Sequence, residues 1–316
     1  MEKVSGHLII QTLWQKEDEL FKKANVVGLG VGEKIKHGLP QGRLCAKVYV
    51  EKKIPKASLS KKDLIPQELS LIETDVEEVG RLMALAIWKA KPLPYRLTAF
   101  GNTWRYRPAL GGVSIGHYKI TAGTFSCLVR DKKTGKILIL SNNHVLANSN
   151  TAQRGDPILQ PGSYDRGRRP KDIIGFLENW IEIKFGKETN LIDSALARPK
   201  KANLVKPEIM MIGLPKGITK ARLGMPVQKS GRTTGYTTGK IKDVNATLKI
   251  NYANKIALFR NQILTTNMSE GGDSGSLVMD MRKRVVGLLF AGSELVTILN
   301  PINEVFKLLN IELFAG

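Results

Sequence analysis

Five residues, Gly272-Asp273-Ser274-Gly275-Ser276, constrain this chain more than any others, because they set a serine in a tight turn flanked by glycines. A serine hydroxyl is a weak nucleophile until a base stands beside it and donors await the oxyanion. Small neighbours let a substrate carbonyl reach the oxygen and let backbone N–H groups converge. The N–H groups of Gly272 and Ser274 are the natural oxyanion donors of such a turn. Many solvated surface turns also contain Asp-Ser-Gly, so the reading depends on whether the chain supplies a base and an acid to orient it.

Two upstream stretches carry candidates. Ile137-Leu138-Ile139-Leu140-Ser141-Asn142-Asn143-His144 is an apolar strand that ends in a polar turn and a histidine. Asn190-Leu191-Ile192-Asp193-Ser194-Ala195-Leu196 is a short apolar segment with a lone aspartate. The other histidines are placed differently: His7 on an amphipathic stretch, His37 in a loop, His117 ahead of the next strand. Asp156, Asp165 and Asp172 compete with Asp193, but they fall in a loop rich in glycine, proline and arginine.

The Gly-Asp-Ser-Gly turn resembles the nucleophile turn of chymotrypsin-like serine peptidases, whose triad partners occur in the chain order His, Asp, Ser. That resemblance implies His144 as general base, Asp193 as the carboxylate that orients it, and Ser274 as nucleophile. His144 and Asp193 are 49 residues apart, and Asp193 and Ser274 are 81 apart. Both separations suit two consecutive small β-barrels with the site in the cleft between them.

A second segment, Lys229-Ser230-Gly231-Arg232-Thr233-Thr234-Gly235, is similar to one in bacterial peptidases of the alpha-lytic and streptogrisin type. There an arginine pairs with the aspartate before the nucleophile. The resemblance implies an Arg232–Asp273 pair, and a full-length chain that is active without cleavage to a new terminus at Val113. It also puts the floor of the specificity pocket six residues before the nucleophile, at Met268, and the substrate's backbone along Phe290-Ala291-Gly292. A methionine floor implies preference for an apolar residue before the scissile bond. The Asn142-Asn143-His144 stretch and the long N-terminal extension further resemble intracellular trypsin-like proteins related to plant Narrow Leaf. Two departures stand out: Ser276 replaces a usual second glycine, and no disulfide backs the histidine loop.

Composition narrows the setting. Two cysteines, Cys45 and Cys127, make no disulfide framework, and the chain start lacks a basic then apolar leader, so a cytoplasmic location is expected. The apolar runs are too short to span a membrane. The net charge of +21 is spread along the chain, with one dense patch at Arg166-Gly167-Arg168-Arg169-Pro170-Lys171. That patch admits weak, non-specific attraction of nucleic acid, although a soluble basic surface explains it as well. Gly28-Leu29-Gly30-Val31-Gly32 lacks the spacing of a dinucleotide loop, no phosphate loop occurs, and the histidines and cysteines are scattered. No metal or cofactor is expected.

The 316 residues suffice for several compact units. Residues 1–80 are expected as an N-terminal α+β domain: a helix over 6–23, then strands near 25–32, 44–50 and 72–79. Residues 81–109, with Pro92, Pro94 and Pro108, read as a connector. Short strands with close-set turns then predict a mainly β, chymotrypsin-like region: one six-stranded antiparallel barrel over 110–204, another over 205–316, and a closing helix over 301–311. The expected activity is that of a serine endopeptidase acting on proteins or peptides. The alternative is a binding module on a peptidase fold that recognises a protein or nucleic acid with little turnover.

Overall fold

The computed structural model describes residues 5–84 and 101–316. The first helix forms as expected. It is α1 (Gly6–Lys22), and the hydroxyl of Ser5 caps it by accepting from the Leu8 N–H. Ile9, Leu13 and Leu20 are spaced to share one face, and that face is buried against β1 (Val26–Lys36) and β2 (Leu39–Val50). The strand β3 (Ile72–Glu78) lies parallel to β2. A two-residue strand follows, β4 (Met83–Ala84). Pro92 and Pro94 of the expected connector lie outside the described residues.

The next strands close on themselves. They are β5 (Ser114–His117), β6 (Gly123–Thr124), β7 (Leu128–Asp131), β8 (Ile137–Ser141), β9 (Pro157–Leu159), β10 (Ile173–Trp180) and β11 (Ala195–Pro199), with the one-turn helix α2 (Asn143–Leu146) after β8. The chain runs from β6 almost directly into β7, so these two act as one interrupted strand. Antiparallel pairing then passes from β7 to β8, β11, β10, β9, β5 and back to β6. Val113, Ile115, Phe125, Ile139, Ile158 and Leu177 fill the interior.

A second ring is built from β12 (Pro226–Gly231), β13 (Gly235–Tyr252), β14 (Lys255–Thr266), β15 (Leu277–Asp280), β16 (Val285–Gly292) and β17 (Val296–Pro301). Each pairs antiparallel with the next around the circuit β12, β13, β14, β17, β16, β15 and back to β12. The helix α3 (Ile302–Leu309) lays Ile302, Val305, Phe306 and Leu309 between the two barrels' apolar surfaces. The mainly β, two-barrel architecture is therefore the one the sequence predicts. One strand is not short: β13 runs unbroken from Gly235 to Tyr252, because repeated register shifts against β14 bend it without breaking it.

The N-terminal sheet is joined edge to edge with the second barrel, since β1 pairs antiparallel with β13 at Gly28↔Leu248 and Leu29↔Thr247. This close approach explains a glycine: a Cβ on Gly30 would stand 1.8 Å from Oδ2 of Asp243. Asp243 is wholly buried there. Its Oδ2 accepts from the Tyr49 hydroxyl at 2.7 Å and its Oδ1 from the Asn245 N–H at 2.8 Å. No cation is among these partners, and burial pushes the carboxyl up to about 7.

A raised folded-state pKa means that the folded chain holds a proton which the unfolded chain has released. The stabilising contribution is complete below the ordinary value of 3.8 and is lost as pH rises through about 7. Asp243→Asn keeps a neutral acceptor for Tyr49 and removes that proton. Urea unfolding at pH 5 and pH 8 is expected to show a fall in wild-type stability between the two that the variant lacks. Equal pH dependence in both proteins would refute this account.

Candidate active site

The sequence after β8 turns sharply because three buried asparagine and histidine side chains find partners at once. Asn142 Nδ2 donates to the Asp193 carbonyl at 2.7 Å, and Asn143 Nδ2 donates to the Ile181 carbonyl and to Asn150 Oδ1, each at 2.7 Å. These bonds tie the histidine loop to the neighbouring strands without a disulfide; both cysteines are free and buried. His144 opens the helical turn with its ring against Asp193. Its Nδ1 donates to Asp193 Oδ2 in a short bond, and its backbone N–H reaches Oδ1 at 3.3 Å.

Asp193 is fully buried, so each of its oxygens needs a donor. Besides His144, the hydroxyl of Tyr252 donates to Oδ2 at 2.7 Å, and Asn300 Oδ1 receives the Asp193 N–H at 2.9 Å. Tyr252 closes β13 and packs edge-on against the His144 ring, 5.9 Å between centroids. Burial and the adjacent Asp193 raise its phenol well above the ordinary value, so it stays a donor. Neither Tyr252 nor Asn300 carries a sequence signal; both sit in strands whose alternation reads as simple core. With Nδ1 committed to Asp193, the lone pair of Nε2 is available. Among the described residues this buried nitrogen has no hydrogen-bond partner.

The serine turn is held from the first barrel. Thr124 donates its N–H to the Ser274 carbonyl at 2.7 Å and its hydroxyl to the Gly272 carbonyl at 3.0 Å. The same hydroxyl accepts the Arg232 N–H at 3.0 Å. The peptide groups that carry the Gly272 and Ser274 N–H are held by their own carbonyls, Gly271 O accepting from Thr233 Oγ1 at 2.7 Å and Asp273 O from Ser276, and among the described residues no acceptor bonds either N–H. Gly275 has φ +97, and a Cβ there would lie 2.1 Å from the Thr124 carbonyl, so both conformation and contact require glycine. Ser276, in place of the usual glycine, closes the turn by donating to the Asp273 carbonyl at 2.6 Å. The two halves of the site meet around Gly123, where a Cβ would touch Val145, next to His144, and the Ser274 carbonyl. In this arrangement Ser274 Oγ donates to the Phe290 carbonyl at 3.0 Å.

The expected Arg232–Asp273 pair is not formed. Arg232, its backbone fixed by Thr124, sends its guanidinium the other way, over the Tyr164 ring and onto Asp165, with Nε to Oδ2 at 2.9 Å. Asp273 is instead paired with Lys229, Nζ to Oδ2 at 3.1 Å, both side chains wholly buried. Thr233 N–H and Thr234 N–H donate to Oδ1, and Thr234 Oγ1 and Glu270 N–H to Oδ2. Burial pulls the Lys229 ammonium below its usual value, and the Asp273 carboxylate opposes that. A lysine immediately before Ser-Gly-Arg-Thr-Thr-Gly is the readable signal. Val113 is itself buried in the first barrel, its carbonyl accepting from the Phe125 N–H.

Met268 is 4% exposed and packs with Met225, Val227 and Ile263 in the second barrel's core. Next to it the hydroxyls of Ser269 and Thr297 bond at 2.7 Å. Phe290, Ala291 and Gly292 end β16, all buried. In the basic loop, Arg169 stacks on Tyr118 and the Arg168 N–H donates to Asp172. No helix among the described residues is long and apolar enough to cross a membrane.

No protein-family model and no curated protein matches this chain. Solved structures do. Thermobifida fusca protease A aligns at TM-score 0.48 and 19% identity, over 66% of this chain and 98% of its own. A glutamic acid-specific serine protease aligns at 0.47 and 20%, over 65% and 100%. Nocardiopsis protease aligns at 0.48 and 16%, over 65% and 97%. The two closed rings described above make this a double β-barrel.

The Asp273 environment yields a test. Lys229→Met strands a wholly buried carboxylate and is expected to cost about 3–5 kcal/mol, whereas Arg232→Met breaks a pair whose side chains are each 7% exposed and leaves Asp165 the Ser114 hydroxyl as a donor, so it should cost less, about 1–3 kcal/mol. Denaturant midpoints of the two variants measure this; a larger loss in Arg232→Met would restore the arginine as the main support of the turn.

Proposed function

We propose that the protein is a serine endopeptidase, with Ser274 as nucleophile, His144 as general base and then acid, and Asp193 as the group that orients it. The observation that carries the reading is His144 itself: one ring nitrogen is bound to a buried carboxylate and the other, Nε2, has no hydrogen-bond partner among the described residues. Such an imidazole is held in the tautomer that removes a proton. The nucleophile turn is close by, since Gly123 packs against both Val145, next to His144, and the Ser274 carbonyl.

The chemistry follows from these positions. Ser274 Oγ rotates from the Phe290 carbonyl to His144 Nε2 and loses its proton as it attacks the scissile carbonyl. The N–H groups of Gly272 and Ser274 take the developing oxyanion, and His144 returns the proton to the leaving amine. The acyl-enzyme is then hydrolysed by water through the same groups. Leaving Phe290 also frees its carbonyl to accept an N–H from the substrate. No carboxylate stands at Met268, so an apolar residue before the scissile bond is the proposed preference. Intact chain is proposed to be active, because Lys229 already supplies the cation that Asp273 needs.

Freshly purified protein of confirmed intact mass is expected to react with a fluorophosphonate probe at Ser274. Ser274→Ala, His144→Ala and Asp193→Asn should each lower turnover by about 10⁴-fold, with losses far from additive. Full activity in Ser274→Ala would refute the nucleophile. A wild type that neither labels nor cleaves would favour a binding module, and a cleavage profile dominated by Arg and Lys would refute the apolar preference.

A further inference from the structure

The strand edge at the end of β16 is already occupied. Met83 and Ala84 pair antiparallel with Gly292 and Ala291, respectively. The carbonyl next along that edge belongs to Phe290, and it holds the Ser274 hydroxyl. Upstream, the segment is clamped. Leu82 O accepts from Asn251 N–H at 3.0 Å and from Asn251 Nδ2 at 2.9 Å, and Ser293 Oγ donates to the Val79 carbonyl. Val79, Leu82 and Ala84 are completely buried, packed with Phe290, Ala291, Ile250 and Tyr252. Gly80 turns between them at φ +69, its α-carbon side facing Ser293.

Resting on the peptidase reading, we propose that residues 79–84 are an intramolecular occupant of the substrate strand, and that peptide substrates must displace them. Three features separate this from ordinary packing. The partner edge is the one along which a peptide would present its backbone to Ser274. The pairing is antiparallel, so the step from Met83 to Ala84 goes from Gly292 to Ala291, the neighbour of Phe290. The clamp is also connected to the triad: Asn251, which holds Leu82, immediately precedes Tyr252, which donates to Asp193. In the strapped state Ser274 is fully buried and His144 is 2% exposed. A peptide that replaces the strap inherits the same edge. The best displacing ligand is therefore an extended chain with an apolar residue at the Leu82 position and a small one at Ala84.

The test compares the full wild-type chain with Met83→Pro/Ala84→Pro, which removes both strand N–H donors. Asn251→Ala is a milder second variant that keeps the backbone bonds. Because the competent fraction sets apparent affinity, the proline variant should raise kcat/KM on extended peptides about tenfold or more, mainly through KM, with Asn251→Ala between it and wild type. The synthetic peptide Val-Gly-Arg-Leu-Met-Ala should inhibit the proline variant competitively and wild type far less. Hydrogen exchange over residues 289–293, run also in a Ser274→Ala background, reads the docking without catalysis; it should be faster in the proline variant and slowed again by the peptide. Unchanged exchange in both variants, or equal kcat/KM with no inhibition by the peptide, would overturn the proposal. Faster exchange in proteins that never label or cleave would uphold the docked strap and defeat the peptidase reading instead.

Discussion

The site depends first on Thr124, a first-barrel residue that bonds two carbonyls of a second-barrel turn. Its N–H holds the Ser274 carbonyl and its hydroxyl holds the Gly272 carbonyl, so it fixes the peptide groups on either side of the one that carries the Ser274 N–H. Each bond is worth only about 1 kcal/mol. Their importance is geometric: they anchor the turn from the first barrel, while the peptides that carry the Gly272 and Ser274 N–H groups are held within the second barrel, by Thr233 on the Gly271 carbonyl and Ser276 on the Asp273 carbonyl. The barrels thus meet through the turn on which the proposed chemistry relies, and any slip of one barrel against the other would be felt there.

Among the described residues three carboxylates, those of Asp273, Asp193 and Asp243, are completely buried, and each is treated differently. Asp273 has a lysine and four other donors. Asp193 has a histidine and a tyrosine. Asp243 has a tyrosine and backbone N–H groups, without a cation among them. Around the first two, donors replace the water lost on burial, whereas burial drives the third toward the neutral acid. The buried lysine at Asp273 differs from a guanidinium in being a compact charge. It fits inside the β12–β13 hairpin, where Gly235 and Thr234 take its remaining protons.

Much of this was legible in the sequence. Glycine-flanked Ser274, an apolar strand ending at His144 and a lone Asp193 specify local environments that few other residues could satisfy, and short alternating runs specify barrels. What could not be read depends on approach between distant segments. Tyr252 and Asn300 look like ordinary strand residues until Asp193 is brought beside them. Motif similarity assigns Arg232 to Asp273, yet its guanidinium goes to Asp165, 67 residues earlier in a loop of the first barrel. Met83 and Ala84 belong to a stretch with connector character, and pairing with β16 makes them a strand. Pairing partners, unlike periodicity, leave no local trace.

The long strand β13 belongs to two assemblies at once. Through Leu248 and Thr247 it completes the N-terminal sheet, and through its pairing with β12 and β14 it is a stave of the second barrel. Cutting away the first eighty residues would therefore expose unpaired peptide groups beside Thr247 and Leu248, an invitation to stick to neighbouring molecules. The extension is in this sense a built-in chaperone of the barrel's open side. Bonds of this kind make the chain hard to shorten by domain loss, since the nominal boundary runs through a continuous sheet rather than a linker.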